Sequence, residues 1–392
     1  MKITEIRPII VGNPWKNWIF VVVETDEGIT GYGESTVGLN SLPVEAAIRE
    51  VAHLCKGKDP RNIHALWDHL YKAMYLTEGQ IQKAAMAGIE IACWDILGKS
   101  LNTPVHQLLG GRMRNEIRAY ANGWYRGKRD PVAFAEMAAE VVEKGYTALK
   151  FDPFGASFQT ISAREERLSI EIVRAVKEAV GEDVDIIIEA HDRFTVQNAI
   201  RIGQRLAEFS PLWYEAPVLS SDIEDLVAVA KAVPVPVGVG ERFTSQREFT
   251  RLLAHNVIDI INPETIDVGG LWPTREVAAI ANANNAVVAL HNARGPICSA
   301  ANCHLDLTLP NLLIQETFQD FNDPWTRDVV VGTPELRDGY FQVSDRPGLG
   351  IELNEEIARE HPYSAGNFMR LFESGWETRF GNSSAEGAQP QR

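Results

Sequence analysis

Six short stretches decide the fold: DVDIIIEAH (183–191), LWYEAP (212–217), VPVGVGE (235–241), VIDIINPE (257–264), AVVALHN (286–292) and LLIQET (312–317). Each is a β-branched or aromatic run of strand length with an ionisable residue at or near its end. From Glu189 the spacing is 26 residues to Glu215, 26 to Glu241, 23 to Glu264, 27 to His291 and 25 to Glu316. Helical stretches such as VQNAIRIGQRLAEF (196–209), SQREFTRLLAHN (245–256) and LWPTREVAAIANANN (271–285) fill the intervals. A strand and a helix at this period predict parallel β/α units. TALKFD (147–152) and a strand from Arg118 to Asn122 lie upstream and bring the count to eight, which closes a barrel of roughly 250 residues.

Outside that repeat the pattern changes. IFVVVE (19–24) and the turn-rich TDEGITGYGE (25–34) read as a strand meander. Residues 43–109 turn helical, and AAMAGIEIACWDILGK (84–99) is small and apolar enough for a helix buried on most sides. With 392 residues, the chain exceeds the roughly 250–300 at which one core stops growing. The expected organisation is an N-terminal α+β capping domain over 1–115, a barrel over 116–330 and a segment over 331–380 that returns to the cap. A disordered tail is expected from 381 to 392.

Composition excludes several function classes. The charge of −15 comes with scattered basic residues, so no phosphate-backbone footprint is present and nucleic acid is not expected as a partner. No apolar run reaches the ~20 residues of a membrane-spanning helix. The start, MKITEIRPIIVGNPW, shows no secretory pattern, and a cytoplasmic location is expected. Cys55, Cys93, Cys298 and Cys303 have neither disulfide-framework nor zinc spacing and are expected to be buried thiols.

Catalytic groups in β/α barrels come from the C-terminal ends of strands. Any single acid there is an ordinary rim residue. Three in succession, Glu189, Glu215 and Glu241, repel one another unless a cation sits between them, and an all-oxygen set with open positions favours Mg2+. His291 and Glu264 end neighbouring strands, which predicts a general-base dyad. His191, two residues past Glu189, is a candidate acid. Lys150 and Asp152 share a strand face, so Lys150 is a candidate for holding a carboxylate and Asp152 for binding substrate, with a mutual salt bridge as the plainer reading. Arg294 is a further candidate for a carboxylate or hydroxyl, and Trp15 and Trp18 for closing over a polyol.

YANGWY (120–125), ALKFDPFG (148–155), IEAHDRF, WYEAPV, VGERF, DVGG (267–270) and ALHNARGP (289–296) together resemble the enolase superfamily, in its mandelate racemase-like branch of acid-sugar dehydratases. The resemblance covers nearly the whole chain. It implies a modified (β/α)7β TIM-like barrel in an α/β protein, with a cap completed by the C-terminal segment, and a symmetric homo-oligomer, from dimer to octamer. It implies metal ligands at Glu189, Glu215 and Glu241, a His291–Glu264 base dyad, His191 as acid, and Glu316 bonded to the substrate carboxylate or enolate. Three departures stand out: Glu264 replaces the usual aspartate, His191-Asp192-Arg193 replaces a His-Gly-Arg motif, and Lys150-Phe151-Asp152 replaces a two-lysine motif, which weakens a two-base racemase. The expected reaction is loss of water from a carboxylate sugar such as gluconate or galactonate, with proton removal at C2. Its rivals are a racemase, epimerase or cycloisomerase on the same enolate, and, more remotely, a non-catalytic acid-sugar-binding protein.

Overall fold

A computed structural model describes residues 1–76 and 78–381. The expected tail lies, apart from residue 381, outside the described residues. The chain opens with β1 (Ile3–Asn13), β2 (Lys16–Thr25) and β3 (Thr30–Glu34), an antiparallel meander in the order β1-β2-β3. Helices α1 (Ser41–Cys55), α2 (Ile63–Ala73) and α3 (Gln80–Ser100) follow. As the small residues predict, α3 is buried almost without a break from Lys83 to Ile96, wedged between the meander and the barrel. Gly33 meets Gly88 of α3 so closely that neither strand nor helix leaves room for a Cβ there.

After a short α4 (Val105–Leu108), the barrel strands are β4 (Ile117–Ala121), β5 (Ala148–Phe151), β6 (Asp185–Glu189), β7 (Trp213–Glu215), β8 (Val237–Val239), β9 (Ile260–Ile261), β10 (Val287–Val288) and β11 (Gln315–Thr317). They pair in parallel around the ring, and Glu316 of β11 comes into register with Tyr120 of β4. The helices between them include α5 (Pro131–Glu143), α6 (Ala163–Val180), α7 (Val196–Leu206), α8 (Ile223–Ala232), α9 (Gln246–Leu253), α10 (Thr265–Val268), α11 (Leu271–Ala283) and α12 (Pro296–Asp306). The repeat led to an eight-stranded parallel barrel, and this is one, in the (β/α)7β form that the family resemblance implies. Its interior is packed with Tyr120, Ala148, Ile187, Trp213, Ile260, Ala289 and Ile314, one buried cluster drawn from strands all round the ring.

The C-terminal segment ties cap to barrel. Leu349 N donates to Asp95 of α3, and Arg7 of β1 pairs with Glu355. Two cap carboxylates reach the N-termini of barrel helices, where backbone N–H groups lack partners. Glu90 of α3 accepts from Leu271 N and Trp272 N at 2.9 Å each, and Glu34 of β3 accepts from Cys298 N at 2.8 Å. All four cysteines are free and buried. Among the described residues no helix is long and apolar enough to cross a membrane.

Candidate active site

The strand ends meet in a cavity of about 490 Å³ between barrel and cap. Its floor is the packed interior: Trp213 donates its Nε1–H to Glu215 Oε2 at 2.8 Å, and the Lys150 ammonium lies 5.5 Å from the Tyr120 ring centroid. Glu189, Glu215 and Glu241 each present a carboxylate oxygen within 4.8 Å of the other two. The first two are fully buried, and Glu241 stands at the rim. Burial, then Glu189 beside it, pushes the Glu215 carboxyl far above the ordinary range, while Glu189 is held at about 2 by His191 and Lys150 against its own burial. Glu189 Oε2 is buried with the Lys150 ammonium, 3.2 Å away, as its ion-pair partner and accepts no hydrogen bond. The cluster therefore carries more negative charge than its single lysine answers, and its donors are all oxygen, so the residues fit a hard divalent cation.

Lys150 Nζ lies 3.2 Å from Glu189, 2.9 Å from Glu215 and 2.9 Å from Glu316. The suggested Lys150–Asp152 salt bridge is not formed. Asp152 is fully buried behind the cavity wall, where it accepts from the Arg193 guanidinium and lies 2.8 Å from His191 Nδ1. It binds the histidine that faces the cavity, so the expectation that it touches substrate is corrected. His191 and Asp192 both adopt left-handed backbone, φ 51° and 58°, a conformation that costs non-glycine residues about 1–2 kcal/mol each. It is held by His191 N–H donating to Glu189 and Asp192 N–H donating to the Ala216 carbonyl, both at 2.7 Å.

Across the cavity, His291 Nδ1 lies 2.8 Å from Glu264 Oε2, and its Nε2 lies 3.1 Å from Glu241. The longer glutamate reaches the imidazole because it starts the short α10, with Oε1 accepting Ile266 N–H. Burial opposes protonation of His291, but Glu241, Glu316 and Glu264 together raise it to about 9. His191 is also raised, by Glu189 and Asp152 against its burial.

The other expected substrate ligands are placed differently from one another. Glu316 does not line the cavity: it accepts from Asn122 Nδ2 at 2.7 Å and Asn292 N at 2.6 Å as well as contacting Lys150, which holds it ionised behind the lysine. Arg294 lines the cavity, but its guanidinium is paired with Glu264 at 2.8 Å and Asp267 at 3.1 Å. Trp15 and Trp18 do not line it. Trp15 stacks on Phe318 and donates to Asn322, and Trp18 packs against Phe20 and Trp325, so both support the wall from behind. The strand-and-helix period carries no signal for the wall that is present instead. Phe368, Met369 and Leu371 line the cavity from the C-terminal segment, whose Trp376 lies edge-on to His191 with centroids 6.4 Å apart.

Residues 133–357 match the enolase C-terminal domain-like family, and residues 11–110 match the mandelate racemase/muconate lactonizing enzyme N-terminal domain. The chain belongs to the mandelate racemase/muconate lactonizing enzyme family. Two relatives in this family are the D-gluconate dehydratase of Thermoproteus tenax, 37% identical over 92% of this chain and 74% of its own length, and the D-gluconate/D-galactonate dehydratase of Picrophilus torridus, 36% identical over 93% of each chain. Among solved structures, the mandelate racemase/muconate lactonizing enzyme from a Sulfitobacter species superposes with a TM-score of 0.87 at 34% identity, covering 93% of this chain and 96% of that one. Both domains of the family are thus present. The match to its C-terminal domain ends at residue 357, before the segment carrying Phe368 and Trp376.

Proposed function

We propose that the protein is a magnesium-dependent dehydratase of a sugar acid, an aldonate such as gluconate or galactonate, yielding a 2-keto-3-deoxy sugar acid. Relatives bearing the names D-gluconate and D-galactonate dehydratase support the reaction class. The observation that carries the reading to this chain is that His191 and His291, each held from behind by a buried carboxylate, Asp152 and Glu264 respectively, both line one cavity above the glutamate cluster.

In this reading, Glu264 takes the Nδ1 proton of His291 as a hydrogen bond and leaves Nε2 to remove the C2 proton. Lys150 offers a buried positive charge to the substrate carboxylate as it becomes an enediolate. Asp152 holds His191 with its other nitrogen towards the cavity, where it protonates the 3-hydroxyl as the C3–O bond breaks. Water leaves, the C2–C3 double bond forms, and the enol ketonises by taking a proton at C3. A divalent cation on Glu189, Glu215 and Glu241 would supply positive charge opposite the substrate carboxylate and screen Glu241 from His291. Buried free thiols accord with a reducing, cytoplasmic setting.

A second reading, an epimerase at C2, is favoured by the same two histidines, since an imidazole at each side could exchange a proton. Incubating the enzyme with magnesium and a panel of aldonic and aldaric acids, and assaying 2-keto acids with semicarbazide, separates them. Keto product from an aldonate supports dehydration; C2 deuterium incorporation with no keto product from any acid replaces it with epimerisation.

A further inference from the structure

Lys16, the first residue of β2, is a cap residue that enters the cavity, and it is only 8% exposed. Its ammonium donates to the Ala293 carbonyl at 2.6 Å and lies 5.1 Å from the Trp15 ring centroid. Among the described residues it forms no ion pair with a carboxylate. An ammonium has three donors; one is used, and the cavity is what the others face. Burying a cation is costly, and burial, followed by the charge of Arg294, pulls its pKa down to about 7 against the more distant pull of Glu264, Glu241 and Asp267. Its position is enforced from two sides. Its backbone forms a β-bridge to Phe368, and the Trp15 carbonyl accepts from Met369 N–H at 3.0 Å, so the hairpin and the C-terminal segment lock together at this residue.

The reacting carbons C1 to C3 are accounted for by Lys150 and the two histidines at the strand ends. The remainder of an acid sugar has to extend towards the cap, where Lys16 waits with unused donors. We propose that Lys16 is a specificity-determining residue whose ammonium donates to an oxygen of the substrate chain beyond C3, either a hydroxyl of an aldonate or the terminal carboxylate of an aldarate. The proposal rests on the sugar-acid reading above.

The test is kcat/KM for the full-length enzyme and Lys16→Met on aldonates of four, five and six carbons and on a six-carbon aldarate. The loss should reach about tenfold or more on the six-carbon acids, appear in KM, and shrink as the chain shortens. A larger loss on the aldarate assigns the terminal carboxylate as the acceptor; a larger loss on the six-carbon aldonate assigns a hydroxyl. Equal loss at every length, or none, overturns the proposal. If the methionine variant does not fold, Lys16→Gln is measured over the same series, and the length dependence remains the criterion. If the wild-type enzyme turns over none of the acids, the dehydratase reading fails on its own. Calorimetric binding of the same series then decides on Lys16: a length-graded loss of affinity supports it, and equal affinity overturns it.

Discussion

Asp152 Oδ2 lies 2.8 Å from His191 Nδ1, while Lys150, two residues earlier, pairs instead with Glu189, Glu215 and Glu316. The Asp152 carboxylate receives the Arg193 guanidinium as well, so it is fixed before it meets the imidazole. Asp152→Asn should keep the fold and the C2-deuterium exchange catalysed by His291 while lowering the dehydration kcat by roughly 10². Comparing exchange with keto-product formation in that variant checks it; equal loss of both would place Asp152 outside the acid step.

The two histidines should separate the two halves of the reaction. His291→Asn is expected to abolish both solvent exchange at C2 and turnover. His191→Asn is expected to lose dehydration by roughly 10²–10⁴ and retain exchange. NMR of substrate recovered from deuterium oxide reads both, and exchange surviving in His291→Asn would sink its assignment as the base.

Removal of divalent metal should abolish turnover and leave three crowded carboxylates. Because a cation binding only the folded state stabilises it by RT ln(1 + [L]/Kd), about 2.7 kcal/mol at a hundred times Kd, magnesium added to the chelator-treated protein should raise Tm by a few degrees. In Glu241→Gln that rise should shrink along with activity. An unchanged Tm on adding magnesium would remove the cluster as its site.

Glu90 joins the two domains through the first turn of α11 and also accepts from Trp94 Nε1 at 2.7 Å. Glu90→Ala leaves those donors buried and unanswered, at an expected cost of about 2–4 kcal/mol. Denaturant unfolding of the variant measures it. A loss below 0.5 kcal/mol, typical of neutral surface changes at roughly that scale, would show that the contact does not fasten the cap.

His304 of α12 is buried, with Nδ1 accepting His106 N–H at 3.2 Å and Nε2–H donating to the Leu349 carbonyl at 3.1 Å. Burial depresses its pKa to about 3. The unfolded chain takes up a proton at about 6.5 that the folded one refuses. This group's stabilisation is therefore complete above about 6.5 and is lost as pH falls towards 3, with a slope of up to about 1.4 kcal/mol per pH unit. His304→Gln should show a shallower decline in stability across that window; an identical slope would mean His304 is not the titrating group.

Much of the architecture was legible in the order of residues. The recurrence of Glu189, Glu215, Glu241, Glu264, His291 and Glu316 required parallel units ending at one mouth, because strand side chains alternate and barrel strands share a direction. The small residues of α3 announced a helix buried on most sides, since little else allows backbone approach as close as that between Gly33 and Gly88. The convergence of Glu189, Glu215 and Glu241 and the closeness of His291 to Glu264 followed from neighbouring strand ends alone. What the tertiary structure decided was where side chains turn after the strands finish. Left-handed backbone at His191 and Asp192 swings the imidazole onto Asp152, a pairing that regular two-residue alternation does not reveal. Lys16, Phe368 and Met369 come to the cavity from opposite ends of the fold's sequence, held by hairpin and segment contacts across more than 300 residues. No local period encodes such contacts, because they exist only once the cap has closed on the barrel.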